Sequence, residues 1–217
     1  MKELENSIQA MGAASREQFE KSVRGLAWGQ PEAADVVIRN DDVIDRYYLG
    51  IEKQILDLFA LQTPVASDLR LLTVLLHVNL HLERVGDMAV NIAKIAKLAE
   101  GLPREASVIQ HLEEMGGIAL DMLGASMDAL ARRDVDLCKS LPQMDDPIDR
   151  LNRGMLGQIL QMSGDPALLE WGIRMHVVSR QIERVGDHAV DIGEQVAFFV
   201  TGEFREFTDA SHPERQF

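Results

Sequence analysis

The sequence predicts an all-α protein made of two tandem, pseudo-symmetric three-helix bundles. Apolar residues recur at steps of three and four along six long segments, and short breaks with glycine or proline separate these segments. The pentapeptide Glu-Arg-Val-Gly-Asp also occurs twice, at residues 83–87 and 183–187. We therefore expect six long antiparallel helices, with a first bundle over residues 1–103, a second over residues 104–203 and a mobile tail over residues 204–217.

The first bundle is predicted from three amphipathic segments, at residues 2–28, 31–61 and 65–100. Pro31 suits the first turn of the second helix, and Thr63-Pro64 ends that helix. The third segment is apolar on nearly all sides between residues 69 and 82, which is typical of a central helix.

The second bundle repeats this order, with helices predicted at residues 107–132, 134–162 and 166–201. Pro142 and Pro147 predict a kink in the middle helix. Asp165 precedes Pro166 and is a candidate N-cap of the last helix. The duplication extends beyond the pentapeptide, because "NDDVIDR" (Asn40 to Arg46) matches "MDDPIDR" (Met144 to Arg150).

The composition limits the classes of function that the chain can have. The chain has 217 residues and a formal net charge of −13, which repels nucleic-acid backbones and suits a cation or a basic partner. The single cysteine, Cys138, excludes an intrachain disulfide and is expected to pack in the core. No signal-peptide pattern is evident, and the longest uncharged run, residues 71–82, is too short and polar to span a bilayer. We predict a cytoplasmic location.

Four pairs of acidic residues are the candidate functional groups, and each pair is spaced by four residues, so that its members lie on one helix face. The pairs are Asp41 with Asp45, Glu83 with Asp87, Asp145 with Asp149, and Glu183 with Asp187. If the second and third helices of each bundle are antiparallel neighbours, four carboxylates converge in each bundle. Repulsion among these carboxylates raises their pKa values, and a bound cation relieves that repulsion. An all-oxygen site suits magnesium, calcium, manganese or iron, and is less typical of zinc.

The glycines between the acids fit the same interpretation. Gly86 and Gly186 each cost about 1 kcal/mol relative to alanine inside a helix, which close approach by a neighbour would offset. Glu83, Asp87 and Asn91 lie away from the main apolar side of their helix, so the site is expected to be shallow. The alternative is a set of solvated faces.

In that alternative, arginines pair with the acids. The candidates are Arg46, Arg84, Arg150 and Arg184, of which Arg84 and Arg184 are also candidates for positions behind the ligands.

These stretches resemble the PhoU family of phosphate-signalling proteins. The resemblance rests on "ASDLRLL" (residues 66–72), "HLERVGDMAVNIAK" (residues 81–94) and "QIERVGDHAVDI" (residues 181–192), together with the acidic pairs of the second and fifth helices. It implies tandem three-helix bundles, often dimeric, that reach the membrane only through partners. The implied partners are the ATPase subunit of the phosphate-specific ABC transporter and a PhoR-type sensor kinase, and the implied role is to restrain phosphate uptake and starvation signalling.

The resemblance also implies metal clusters bound through Glu/Asp-x-x-x-Asp motifs. Those motifs match Asp41, Asp45, Glu83, Asp87, Asp145, Asp149, Glu183 and Asp187. Asn91 and its counterpart Asp191 are possible additional ligands.

Three departures from the pattern fall in the second repeat, and one of them is Asp191 in place of Asn91, which makes the second site more acidic. Residues 168–174 read "LLEWGIR" where the first repeat has Asp-Leu-Arg, and Pro147 lies inside the second Asp-x-x-x-Asp pair, where it is expected to spread the ligands.

The histidines are weaker candidates for metal binding than the acids. His188 follows Asp187, but a helix turns by about 100° per residue, so we expect its ring to point elsewhere. His77 and His81 are spaced as a zinc pair would be, although interior or interface positions are the more common explanation.

The remaining alternatives are a ferritin-like di-metal enzyme and a metal-storage bundle. The enzyme requires Glu-x-x-His, and no histidine of the chain has a glutamate three residues earlier. The sequence therefore predicts a binding protein and not an enzyme.

Overall fold

The structure is a computed structural model that describes residues 1–207, and these residues form seven helices without a strand. The helices are α1 (Lys2–Trp28), α2 (Pro31–Arg39), α3 (Asp41–Gln62), α4 (Ala66–Leu98), α5 (Ala106–Arg132), α6 (Val135–Leu160) and α7 (Pro166–Thr201). The predicted all-helical fold is confirmed, with one helix divided in two.

The division occurs at Asn40. Its φ of −86° and ψ of 1° leave helical geometry, and its backbone N–H donates to the carbonyls of Val36 and Val37, which closes α2. Helix α3 then begins with Asp41 and Asp42, whose negative charges are favourable at a helix N-terminus. The sequence prediction of one helix over residues 31–61 was wrong here, because neither glycine nor proline marks the break.

Side-chain caps define the later helices. Asp134 Oδ1 accepts a hydrogen bond from the backbone N–H of Leu137 at 3.0 Å and caps α6. Asp165 Oδ1 accepts from Ala167 N at 2.9 Å and from Leu168 N at 3.2 Å, which confirms the predicted cap of α7. Helix α6 runs without a break through Pro142 and Pro147.

The helices form one packed body in which α4 and α7 lie side by side at the centre. Helix α1 packs against α4 and α5, while α5 packs against α7. Helices α2 and α3 cover the outer side of α4, and α6 covers the outer side of α7. The predicted central segment of α4 is indeed buried at Leu72, Leu75, Val78 and Leu82.

The two halves share their core. One apolar cluster joins Phe19 and Val85 to Met115 and Met175, and another joins Ile8 of α1 to residues of α7. Each cluster therefore contains side chains from both repeats, and burial of these side chains stabilises the halves against each other.

The burial of Cys138 and a tail at the end of the chain were also predicted. Cys138 is fully buried in the core, and this burial raises the pKa of its thiol to about 11. Beyond α7, Phe204 contacts Phe198 edge-on, and the backbone N–H of Phe207 donates to Glu194 Oε1 at 2.6 Å. The rest of the predicted tail, residues 208–217, lies outside the described residues. Over residues 1–207, none of the helices combines the length and apolar content that crossing a bilayer requires.

Candidate metal centres

The first acidic site consists of Asp41 and Asp45 on α3 and of Glu83 and Asp87 on α4. Helix α3 approaches α4 closely at Gly86, where a Cβ atom would stand 2.7 Å from Ile44 Cδ1. Ile44 lies between the two aspartates in sequence. Its contact with Gly86 therefore brings both aspartates close to Glu83 and Asp87, the acidic ridge of α4. The glycine thus has the close-approach role that the sequence predicted.

The carboxyl groups of this site act on one another. Burial raises the pKa of Asp41, and the charges of Asp45 and Asp87 raise it further. Burial likewise raises the pKa of Glu83, with Asp87 as the next cause. Asp41 and Glu83 are therefore each affected by carboxylates of the other helix, which couples α3 and α4 electrostatically at this site.

Arg84 partly compensates this charge. Its Nη1 donates to Asp87 Oδ2 at 3.3 Å, and its Nε lies 3.5 Å from Glu83 Oε2. The predicted ion-pair role of Arg84 is therefore confirmed. The site is shallow, as predicted, since Asp45 and Asn91 are exposed and the Glu83 side chain retains 20% of its exposure.

The second acidic site consists of Asp145 and Asp149 on α6 and of Glu183 and Asp187 on α7. All four line one open cavity of about 600 Å³ between α6, α7 and the segment after α7. Asp145 is only 4% exposed, and its Oδ1 lies over Gly186, where a Cβ would overlap it. The expected spreading of these ligands by Pro147 stays a prediction, although α6 is continuous through Pro147 and both aspartates line the same cavity.

The second site shows the stronger electrostatic strain. Burial raises the pKa of Asp187 to about 6, and the charges of Glu183 and Asp191 contribute. Burial also raises the pKa of Glu183, against the opposing effects of Arg180 and Arg184. The exposed surface of Asp187 faces the cavity, so its carboxylate is accessible to solvent and to ions although it is crowded by other acids.

Three polar residues of this site were missed from the sequence. Arg180 Nη1 donates to Glu183 Oε1 at 2.8 Å, Asn152 Nδ2 donates to the same oxygen at 3.4 Å, and Arg153 Nη1 donates to Asp149 Oδ2 at 3.2 Å. Arg180 and Arg153 are three and four residues, respectively, from the acid that each contacts on its own helix. Asn152 contacts Glu183 from the neighbouring helix. Helical spacing could have indicated Arg153 and Arg180.

Arg153 and Arg180 make the ion pairs with acids that were predicted for Arg184. Arg184 is exposed and lowers the pKa of Glu183 without being its main ion-pair partner, which is Arg180. Arg46 and Arg150 are also exposed. The alternative of simple arginine pairing thus accounts for part of each site, and at the first site it includes Glu83 Oε2, which lies 3.5 Å from Arg84 Nε.

Metal binding at the two acidic sets stays a prediction, because over the described part of the chain neither set brings three carboxylate oxygens within 4.8 Å of one another. Among residues 1–207, the Oε2 atoms of Glu83 and Glu183 are both buried and accept no hydrogen bond. A buried carboxylate oxygen without a hydrogen bond is costly. Each belongs to a set of four carboxylates, the donor type that magnesium, calcium and manganese prefer.

His188 contacts α4, and its Nδ1 also lies 3.4 Å from Oδ2 of Asp191, which lines the cavity of the second acidic site. Its ring lies against that of His81, with the ring centroids 5.2 Å apart. Burial lowers the pKa of His81 to about 4, which keeps its imidazole neutral at pH 7. His81 thus occupies an interface, as expected, whereas His77 is exposed.

The chain matches a family model described as the PhoU domain, at residues 8–96 and again at residues 112–196. One match falls in each repeat. Together they include all eight acidic residues of the two sites.

Curated relatives align over nearly their full length. A homologue from Clostridium acetobutylicum, named phosphate-specific transport system accessory protein PhoU homolog, is 29% identical over 96% of both chains. A Pseudomonas aeruginosa protein of the same name is 31% identical over 98% of this chain and 86% of its own length.

Solved structures show the same similarity to PhoU proteins. The crystal structure of PhoU from Pseudomonas aeruginosa superposes with a TM-score of 0.87 at 30% identity, covering 93% of this chain and 97% of that one. The phosphate transport system regulatory protein PhoU from Streptococcus pneumoniae gives a TM-score of 0.86 at 28% identity, covering 94% and 97%.

Proposed function

The chain belongs to the PhoU family, and from this premise we propose that it is a regulatory accessory protein of phosphate-specific transport. It restrains phosphate uptake through the ATPase subunit of the ABC transporter and restrains starvation signalling through a PhoR-type sensor kinase. The observation that carries this proposal is the family match in both repeats, together with relatives named as accessory proteins of the phosphate-specific transport system.

The protein acts by binding. Its partners meet helical surfaces in the cytoplasm, and a homodimer would present each surface twice. Its net charge of −13 favours a basic partner surface and disfavours nucleic acid. Membrane contact is indirect, through the transporter and the kinase.

Each acidic site holds a hard divalent or trivalent cation, such as iron, manganese, magnesium or calcium. The four carboxylates of each set and the buried Oε2 atoms of Glu83 and Glu183 support this assignment. The cation would offset the repulsion that raises the pKa values of Asp41 and Asp187. It would thereby fix α3 against α4 and α6 against α7. Zinc is the least suited to these oxygen-only sets.

Deletion of the gene in its native host tests the regulatory role. A phosphate-starvation reporter should become active in phosphate-rich medium, and phosphate uptake should exceed that of the parent strain. Re-expression of the wild-type chain is the control and should restore repression. A reporter that stays silent in the deletion strain would contradict the proposed role.

Affinity capture tests the proposed partners. The tagged chain, expressed at native level, should retain the transporter ATPase and the sensor kinase under mild detergent. Capture of neither protein would contradict the proposed mode of action.

A di-metal oxidase is the competing function. It would require Glu-x-x-His ligands, which the sequence lacks. Iron-loaded protein should therefore show no catalytic turnover with oxygen, and steady oxygen consumption under excess ferrous iron would favour the enzyme.

A further inference from the structure

Three side chains with metal-binding atoms meet where the two repeats contact each other. They are His81 on α4 and His188 and Asp191 on α7. The Nδ1 atoms of the two histidines are 3.1 Å apart. Asp191 Oδ2 lies 3.5 Å from His81 Nδ1 and 3.4 Å from His188 Nδ1. The three atoms form a nearly equilateral triangle.

This triangle has the dimensions of one face of a metal coordination sphere. Zinc bonds to imidazole nitrogen and carboxylate oxygen at about 2.0–2.1 Å, which places the ligand atoms of a tetrahedral site about 3.4 Å apart. The observed separations of 3.1, 3.4 and 3.5 Å fall around this value. Little movement is therefore needed for the three atoms to reach one ion.

The surroundings are also suitable. The histidine side chains are 17% and 19% exposed, so both rings are held by packing, while the Asp191 side chain is 44% exposed and leaves an approach from solvent. His188 and Asp191 are three residues apart on α7 and therefore share a face. His81 reaches them from the neighbouring helix.

Within residues 1–207, a cluster of this kind occurs once. The repeat that matches residues 83–92 with residues 183–192 gives Gln181, Met88 and Asn91 as the counterparts of the three ligands. None of these is a usual zinc ligand. The sequence duplication that produced two acidic sites thus cannot account for this cluster.

We propose that His81, His188 and Asp191 bind one transition-metal ion of the zinc class, which joins α4 to α7 and so links the two repeats. Two imidazoles and one carboxylate are a donor set for zinc, whereas magnesium and calcium select oxygen. The fourth position is open to water, as in zinc sites with three protein ligands. This site differs from the two oxygen-only sites in its imidazole ligands, although Asp191 also lines the cavity of the second acidic site. It does not depend on the proposed regulatory function.

Zinc binding in the presence of excess magnesium tests the proposal. Magnesium occupies the carboxylate sites, and zinc bound per chain is then measured by equilibrium dialysis and metal analysis. The wild-type chain should retain one zinc ion. His81→Gln and His188→Gln should weaken zinc binding at least about tenfold, since loss of even a residue behind a ligand changes affinity about 10–100-fold.

His77→Gln is the matched control, because His77 lies one turn before His81 on α4 and is exposed. It should bind zinc as the wild type does. Asp191→Asn, which changes a partly exposed side chain, gives a ligand variant that is expected to fold. Circular dichroism verifies the helical content of every variant.

Cobalt substitution reports the ligands directly. The wild-type chain should give the visible spectrum of a low-symmetry site with nitrogen ligands, and His188→Gln should lose it. Full zinc binding by Asp191→Asn and by either folded histidine variant would overturn the proposal, as would equal loss in His77→Gln.

Discussion

The two acidic sites contain the same kinds of residues but differ in depth. In the first, Asp41 occupies the first turn of α3 and Asp45 is exposed; in the second, Asp145 lies within α6 and is only 4% exposed. The glycines show the same difference, since Gly86 receives the aliphatic Ile44 whereas Gly186 receives the carboxylate of Asp145 as well as Ile148. The repeated pentapeptide therefore determines which residues meet. The helix that precedes it, α3 or α6, determines how deeply they are buried.

Removing one carboxylate from each site should give the largest difference. Glu183→Gln should weaken cation binding at the second site at least about a hundredfold, because the Glu183 side chain is only 13% exposed and solvent screens the charge of a mostly buried group weakly. Glu83→Gln should weaken the first site less, because solvent screens that site more. Manganese titration of each variant, followed by calorimetry, measures both affinities.

Each variant is the control for the other. The site that a variant leaves intact should keep its wild-type affinity, since the two sites use different helix pairs. Equal losses in both variants would break the comparison.

Stability without metal should also separate the sites. The pKa of Asp187 is about 6 in the folded chain and about 4 when unfolded, so between these values the folded state binds more protons. The free energy of unfolding of chelator-treated protein should therefore fall as pH rises from 4 to 6. Asp187→Asn should remove much of this slope and stabilise the metal-free chain at pH 7 by about 1 kcal/mol, after allowance for solvent screening.

Urea unfolding at several pH values measures this effect. Asp45→Asn is the matched change at the exposed edge of the first site and should alter the slope less than Asp187→Asn does. A wild-type slope that persists in Asp187→Asn would show that another group carries the pH dependence.

The glycine contacts should give the smallest difference. In Gly186→Ala the new methyl group displaces the short, buried Asp145 side chain, so cation affinity at the second site should fall about tenfold. In Gly86→Ala the methyl group meets the end of the Ile44 side chain, which can move. The first site should then keep its affinity within about threefold. The same manganese titration compares the two variants, and a larger loss in Gly86→Ala would contradict the assigned contacts.

Much of this architecture was accessible from the sequence, because helical periodicity and an internal repeat are local signals. The pairing of Asp41 and Asp45 with the α4 ridge followed from antiparallel neighbours. The break at Asn40 was not predicted, because the flanking residues favour helix and Asn40 acts only through its backbone geometry.

Contacts between the repeats were beyond sequence reasoning. His81 meets His188 only because α4 and α7 pack with those faces together, and no spacing along one helix encodes that rotation. Asn152 reaches Glu183 from the neighbouring helix for a similar reason. Local pattern thus identified the acids, while packing determined their neighbours.

Metal content is the most direct test of the central claim that carboxylates of adjoining helices form one cation site in each repeat. The chain is purified without chelator, and bound metal is determined for the wild type, Asp87→Ala and Asp187→Ala. The account predicts metal in the wild type, loss of the first-site fraction in Asp87→Ala and loss of the second-site fraction in Asp187→Ala. A wild-type chain that remains metal-free after incubation with iron, manganese, magnesium and calcium would contradict it.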